Sequence, residues 1–486
     1  MHAVEIIGTE VGVTDVVLNG NVQDWPTRYS PGLSGLVTQR GGPMFFFCSG
    51  MINFLLALNT IVTEKELHLR HGMQMMGLIP SVYWTCWFLI NTLIAVLSTF
   101  ITVGFGNAFQ FEVFTNCDFG VVFLLFFLFT EAMVFAAFFI TTLVRKVRVA
   151  TMVGIFILII GLVFMLAVFS TVVVGYIWWE VSTGAAGWII LMFFPFFNFG
   201  KCYVDIAALA VGSYSLATDS YTGGVGFTWN DLYSPIPALY LPSYGSYPTL
   251  PAPVQSLYFL LWNIAFYGLL TWYVDHVIPD DFGNRYPVYF FLTPSYWGIR
   301  YFTKGAKNLR LDPLKKKAEK EVEDEDVHAE RFRALSDEGE KAAVRLLYLR
   351  KVYGGLLTSE SSKKVAVAGS CWTLPEGQLL ALLGQNGAGK STTINMLCGF
   401  SKPTKGDAYI YGHSILSGMT DIRSIMGVCP QHDILFSNLT AREHIELFAG
   451  IKNLPRSDLP RLIEERLSAV RLTKVQDKHA GTYSGG

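Results

Sequence analysis

Nine consecutive residues, Gly384, Gln385, Asn386, Gly387, Ala388, Gly389, Lys390, Ser391 and Thr392, have the types and spacing of a phosphate-binding loop. They fit G-x-x-x-x-G-K-[ST], in which backbone N–H groups cradle phosphate oxygens and the lysine adds a point charge. Gly387 and Gly389 let the backbone curl around an anion without a Cβ in the way. Ser391 carries a hydroxyl that can ligate Mg²⁺, and the N-terminus of a following helix favours negative charge. The bare pattern arises by chance in about a few per cent of chains this long, so its context decides. Here it lies between "GQLLALLG", read as a short buried strand, and "KSTTINMLCGF", which has helical spacing.

Further residues join this chemistry. Gln431, in "GVCPQHDILF", follows a strand pattern and is a second candidate Mg²⁺ ligand that would sense a γ-phosphate. A helical stretch, "LTAREHIELFAG", comes next, and the chain closes on Ser484, Gly485 and Gly486. That terminus reads as the opening of a phosphate-contacting loop without its continuation. Tyr353 ends the strand pattern "VRLLYLRKVY", where a tyrosine commonly packs locally.

These residues sit in the last part of a chain of very different composition. Over 486 residues, 51% are hydrophobic and 15% charged, against about a quarter charged in soluble domains. Mean hydropathy is +0.38. The net charge of −1 excludes the basic excess of a nucleic-acid binder. Seven scattered cysteines form neither a disulfide framework nor a zinc site, although Cys117 and Cys202 fall on one side and are candidates to pair.

The expected fold is a membrane α-helical bundle followed by an incomplete α/β P-loop cassette. Residues 43–278 form the membrane domain, with spans at 43–62, 80–105, 119–143, 149–175 and 255–278. A proline-containing apolar stretch from 185 to about 208 reads as a re-entrant or interfacial hairpin. Basic residues cluster in 63–79, in the "RKVR" turn at 145–148 and after the last span, which puts those segments in the cytoplasm. Residues 1–42 are then extracytoplasmic, and an upstream span or signal is expected to precede them. Residues 279–343 read as a charged cytoplasmic linker without a core-facing stripe, either a solvated tether or a regulatory segment. Residues 344–486 form the cassette. Glu131 lies midway along span 119–143, where a carboxylate is expensive and must face protein or water. It contacts either a lipid headgroup or gating partner, or a hydrogen-bonding group on a neighbouring span.

The order of P-loop, Gln431 loop, helical insert and Ser-Gly-Gly resembles an ATP-binding-cassette domain. The stretches "EKELHLRHGMQMMGL", "FFLTPSYW" and "IRSIMGVCPQHDILFSNLTAREHI" resemble the A subfamily of ABC transporters, the lipid exporters, over roughly residues 23–486. The resemblance implies ATP and Mg²⁺ as cofactors, with Tyr353 stacking the adenine and Ser484–Gly486 contacting the γ-phosphate held by a second cassette. That partner cassette belongs to the same chain or to a dimer. The implied cargo is a phospholipid or sterol, and helix 63–79 and the "RKVR" turn become coupling elements resting on the cassette near Gln431. By itself, 63–79 is equally an amphipathic helix at the membrane surface. The family's catalytic glutamate and switch histidine would lie beyond residue 486. The first half of a full-length transporter is the reading favoured by "MQMMGL" and "TPSYW"; a half-size dimer is the near alternative, and "EDEDVHAER" resembles the linker before a second cassette. Two other classes stand beside this one: a catalytically inert partner of a full transporter, and an ATP-gated channel.

Overall fold

The computed structural model describes residues 33–170, 185–215, 220–234, 251–279, 286–294, 296–297, 324–353, 364–430 and 434–483. Most of the 1–42 segment, the end of span 149–175 beyond 170, the basic tract 301–323, Gln431 and Ser484–Gly486 lie outside them.

Five helices are long and apolar enough to cross a membrane. They are α1 (Leu33–Glu66), α3 (Pro80–Ala108), α4 (Phe119–Leu143), α5 (Val147–Met165, closed by a π-helical turn at Leu166–Ser170) and α8 (Pro253–Val277). Between α1 and α3 lies the short helix α2 (Leu69–Met75). The hairpin stretch is two helices, α6 (Ala185–Met192) and α7 (Pro195–Val211). Pro80, Pro195 and Pro253 each open a helix, where the missing N–H costs nothing.

Helix α4 is apolar on every face and is buried along most of its length at the centre of the bundle. Phe129 on α4 stacks on Phe199 of α7 at 4.2 Å. Gly50 lets α1 approach α4, since a Cβ there would stand 2.4 Å from the Phe129 ring. On α7, buried Lys201 pairs with Asp205 at 2.6 Å and also donates to the carbonyl of Pro251. Cys117 and Cys202 remain free thiols, so the considered pairing is not made. Cys202 is packed inside the core, and burial pushes the Cys117 thiol up to about 12.

Consecutive charges at the end of α1 cap its neighbours. Lys65 Nζ donates to the carbonyls of Thr141, Thr142 and Val144 at 2.9, 3.3 and 3.1 Å, the C-terminus of α4. Glu66 accepts from the Val147 N–H at 2.7 Å, the N-terminus of α5. A cation at one helix C-terminus and an anion at another N-terminus satisfy orphaned backbone groups and oppose the helix dipoles.

The cassette portion is built on an antiparallel sheet of β3 (Val344–Tyr353), β4 (Lys364–Leu374), β5 (Lys405–Ile410) and β6 (His413–Ser414) in the order β4-β3-β5-β6. (β1, Gly212–Ser215, and β2, Ser220–Gly223, form a separate hairpin after α7.) The charged tract is not wholly a tether. Helix α9 (Glu325–Leu335) docks Ala334 and Leu335 against Leu347, and Arg345 donates to the Ala334 carbonyl at 2.7 Å. Glu330 accepts from both the N–H and the hydroxyl of Thr373, at 2.7 and 2.8 Å. A two-residue apolar strip flanked by paired charges suffices for this docking, and overall charge density conceals it.

The expected strand "GQLLALLG" is a further difference. Residues 378–384 carry no strand, and Leu379 and Leu383 are 100% and 87% exposed. A buried strand needs ladder partners on its edges and cover on its faces, and among the described residues this segment has none.

Candidate nucleotide site and its contact with the membrane domain

Residues 384–392 form a tight loop running into helix α10 (Lys390–Leu397). Gly387 and Gly389 have φ of 91° and 89°, a region that side chains other than glycine rarely adopt. At Gly389 a Cβ would also stand 2.4 Å from the Ala366 carbonyl oxygen of β4. The loop is thus pressed against the sheet where only glycine fits. The Ala388 N–H donates to Gln385 O at 3.1 Å, and Lys390 Nζ donates to the carbonyls of Gly384 and Gln385 at 2.6 and 2.9 Å. The ammonium therefore lies across the loop, where an anion would compete for it. Asn386, Gly387 and Ser391 are exposed, while Thr393 anchors the helix start by donating to Gly389 O at 3.0 Å. Backbone donors, an ammonium and an open hydroxyl suit a phosphate with its divalent cation.

Tyr353 lies at the same end of the sheet. It pairs with Lys364, close along β4 to the Ala366 carbonyl that abuts Gly389. The Lys351 ammonium covers its ring at 5.1 Å. Gln431, Ser484, Gly485 and Gly486 fall outside the described residues, but the segments beside them meet. The Ala480 and Gly481 N–H groups donate to the carbonyls of Leu439 and Ser437 at 2.8 and 3.0 Å. Helix α12 (Ala441–Ile451), which comes after the short helix α11 (Met419–Ile425), is begun by a capping box in which the Thr440 hydroxyl accepts from the Glu443 N–H and Glu443 accepts from the Thr440 N–H. That bond holds the Glu443 carboxyl below the usual carboxylate range. His444 Nδ1 lies 2.8 Å from the Thr440 carbonyl and Nε2 accepts from the Phe436 N–H at 2.9 Å, tying the stretch after Gln431 to the helix.

Helix α2 meets this stretch. A Cβ on Gly72 would stand 2.4 Å from Ile434, and the His71 ring lies 4.4 Å from that of Phe400. Residues 145–148 make contacts within the membrane domain: Arg145 donates to Pro279 O and the Val147 N–H to Glu66. Gly72, Ile434 and His444 escaped sequence reasoning because a glycine, an isoleucine and a histidine carry no motif. Only the nearness of Ile434 to Gln431 was a signal. Glu131 is 3% exposed, and neither carboxylate oxygen has a hydrogen-bond partner among the described residues. The Thr92 hydroxyl of α3 faces it without completing a bond.

Two sequence families match the two parts of the chain. Residues 19–273 match the family described as ABC-2 family transporter protein, and residues 367–486 match ABC transporter. The chain belongs to the ABC transporter family. Among its relatives, ABC transporter A family member 1 of Dictyostelium discoideum is 37% identical over 449 residues, 92% of this chain and 48% of that protein. ABC transporter A family member 9 of Arabidopsis thaliana is 35% identical over 462 residues, 92% of this chain and 46% of that protein. The phospholipid-transporting ATPase ABCA3 of Homo sapiens is 31% identical over 448 residues, 91% of this chain and 24% of that protein. The chain thus spans about half the length of the A-family relatives it matches first. A solved ATP-binding cassette, MJ0796 bound to ADP and Pi, aligns with a TM-score of 0.26 at 26% identity, covering 29% of this chain and 63% of that one.

Proposed function

We propose that this chain is part of an ATP-driven exporter that translocates a phospholipid or sterol, with the cassette cytoplasmic and the spans forming the lipid path. The contact of Gly72 with Ile434 carries the reading, because it joins the nucleotide-bearing sheet to the spans beside the Gln431 loop. Lys390 moves from the Gly384 and Gln385 carbonyls onto the β- and γ-phosphates, and the N–H groups of residues 385–391 close around them. Ser391 and Gln431 would hold Mg²⁺, which would supply positive charge against the phosphates. Tyr353 stacks on the adenine, and Ser484, Gly485 and Gly486 reach the γ-phosphate at a second cassette, in the same chain or a dimer. Closure of the two cassettes then pushes on α2, which touches Ile434 and Phe400. The phospholipid is supported by the name of the human relative, and the membrane setting by the spans and their basic cytoplasmic loops.

The test uses the complete protein in proteoliposomes with fluorescent phospholipid and sterol. ATP is expected to move at least one of them between leaflets, and a non-hydrolysable analogue to move neither. Equal movement with ATP and the analogue would mean a nucleotide-gated path in place of a pump.

A further inference from the structure

Helix α2 has seven residues and no side-chain cap; its entry residue, His68, sits at φ 56°. A helix that short transmits a push only if its far side is fixed. Its cassette side is His71 and Gly72. Arg70, beside them, reaches the other way. Its Nη1 and Nη2 donate to Oδ1 and Oδ2 of Asp275, near the end of α8, at 3.0 and 2.7 Å. The Trp84 indole of α3 donates to the same Oδ2 at 3.2 Å, and the guanidinium lies over the Tyr83 and Trp84 rings at 4.9 and 5.4 Å. Tyr83 in turn donates to Glu64 of α1 at 2.8 Å, and Trp87 to the same oxygen at 3.3 Å. One arginine thus gathers α2, α3 and α8, and the aromatic residues around it secure α1.

The chemistry suits a mechanical role. A two-pronged Arg–carboxylate pair fixes direction as well as distance, which a lysine does not. With side chains 19% and 16% exposed, the pair escapes most of the screening that weakens surface pairs. Asp275 is also followed by His276, which stacks on Phe290 at 5.1 Å and lies 3.1 Å from the Tyr296 hydroxyl. Tyr286, in the same aromatic cluster, takes the Lys402 ammonium of the cassette over its ring at 5.6 Å. Two routes from neighbouring cassette residues, Phe400 through α2 and Lys402 through Tyr286, converge on the end of α8.

We infer that Arg70 and Asp275 are positioning residues for energy coupling: they lock α2 to α8 so that movement of the cassette turns the last span. This rests on the transport reading above. The experiment measures lipid moved per ATP hydrolysed by the complete protein in proteoliposomes, for wild type, Asp275→Asn and Arg70→Lys. Both variants are expected to keep ATP hydrolysis within about twofold while lipid moved per ATP falls about tenfold, since each removes the two-pronged geometry that ties α2 to α8. Arg70→Lys keeps the charge and loses only the fork, so it serves if Asp275→Asn fails to fold. A coupled wild type with equally coupled variants overturns the inference alone, as does parallel loss of hydrolysis and transport in both variants. Hydrolysis without lipid movement in the wild type overturns the transport reading, and the inference with it.

Discussion

Glu131 and Lys390 are both ionisable residues picked out by type and position, yet the structure treats them differently. Lys390 has its partners: its ammonium spans the loop on two carbonyls, ready to be drawn off by a phosphate. Glu131, buried in the central helix α4, completes no hydrogen bond among the described residues, and the Thr92 hydroxyl of α3 faces it. A carboxyl at bilayer depth costs about 2.5–3.5 kcal/mol on insertion scales. A role in transport is one use that repays this cost, and a bond to Thr92 on the neighbouring span is the other. On the transport reading, Glu131→Gln is expected to lower lipid export several-fold while leaving ATP affinity unchanged; equal export rates for the two proteins would remove that role. The P-loop residues were legible in sequence because their chemistry fixes both type and spacing. Arg70, Asp275 and Gly72 were not, because their meaning lies in partners far away in the chain.

Elements divide in the same way. The spans were legible because a run of about 20 apolar residues has few other uses, and all five expected spans correspond to helices. Strands β3 and β4 were legible in "VRLLYLRKVY" and "KVAVAGSCW". The segment 378–384 was misread as a strand, since an apolar run states a preference for burial and does not supply the neighbours that provide it. Helix α9 was hidden by its charges, which are paired to the sheet and not merely solvated. Helix α12 carries a prediction of its own. Thr440→Ala removes the hydroxyl half of its capping box and should destabilise the helix start by about 1 kcal/mol. Because the folded Glu443 carboxyl titrates below its ordinary 4.5, its contribution is full above that pH and lost as pH falls through the lower folded value. Amide protection over Ala441–Ile451, taken relative to the intrinsic exchange rate at each pH, should thus fall in the variant at neutral pH and in the wild type only in acid. Identical exchange in both proteins at neutral pH would show that the box contributes nothing.

For the whole molecule, a bundle of membrane helices and a nucleotide-type loop are joined through a seven-residue helix. Lys65, Glu66, Arg70 and Asp275 concentrate charge at one end of the bundle, the end that faces the cassette. Sequence polarity alone assigned that end to the cytoplasm; the contacts show that it is the end beside the cassette. The resemblance implied that helix 63–79 rests on the cassette near Gln431; which residues touch depends on shape, as in the space beside Gly72 that admits Ile434. The proposed function requires nucleotide at Lys390 to drive lipid across the membrane. Lipid export in proteoliposomes by the complete protein and by Lys390→Met, each checked for equal insertion, tests this. ATP-dependent export by the wild type and its loss in the variant are expected; unchanged export by Lys390→Met would contradict the proposed function.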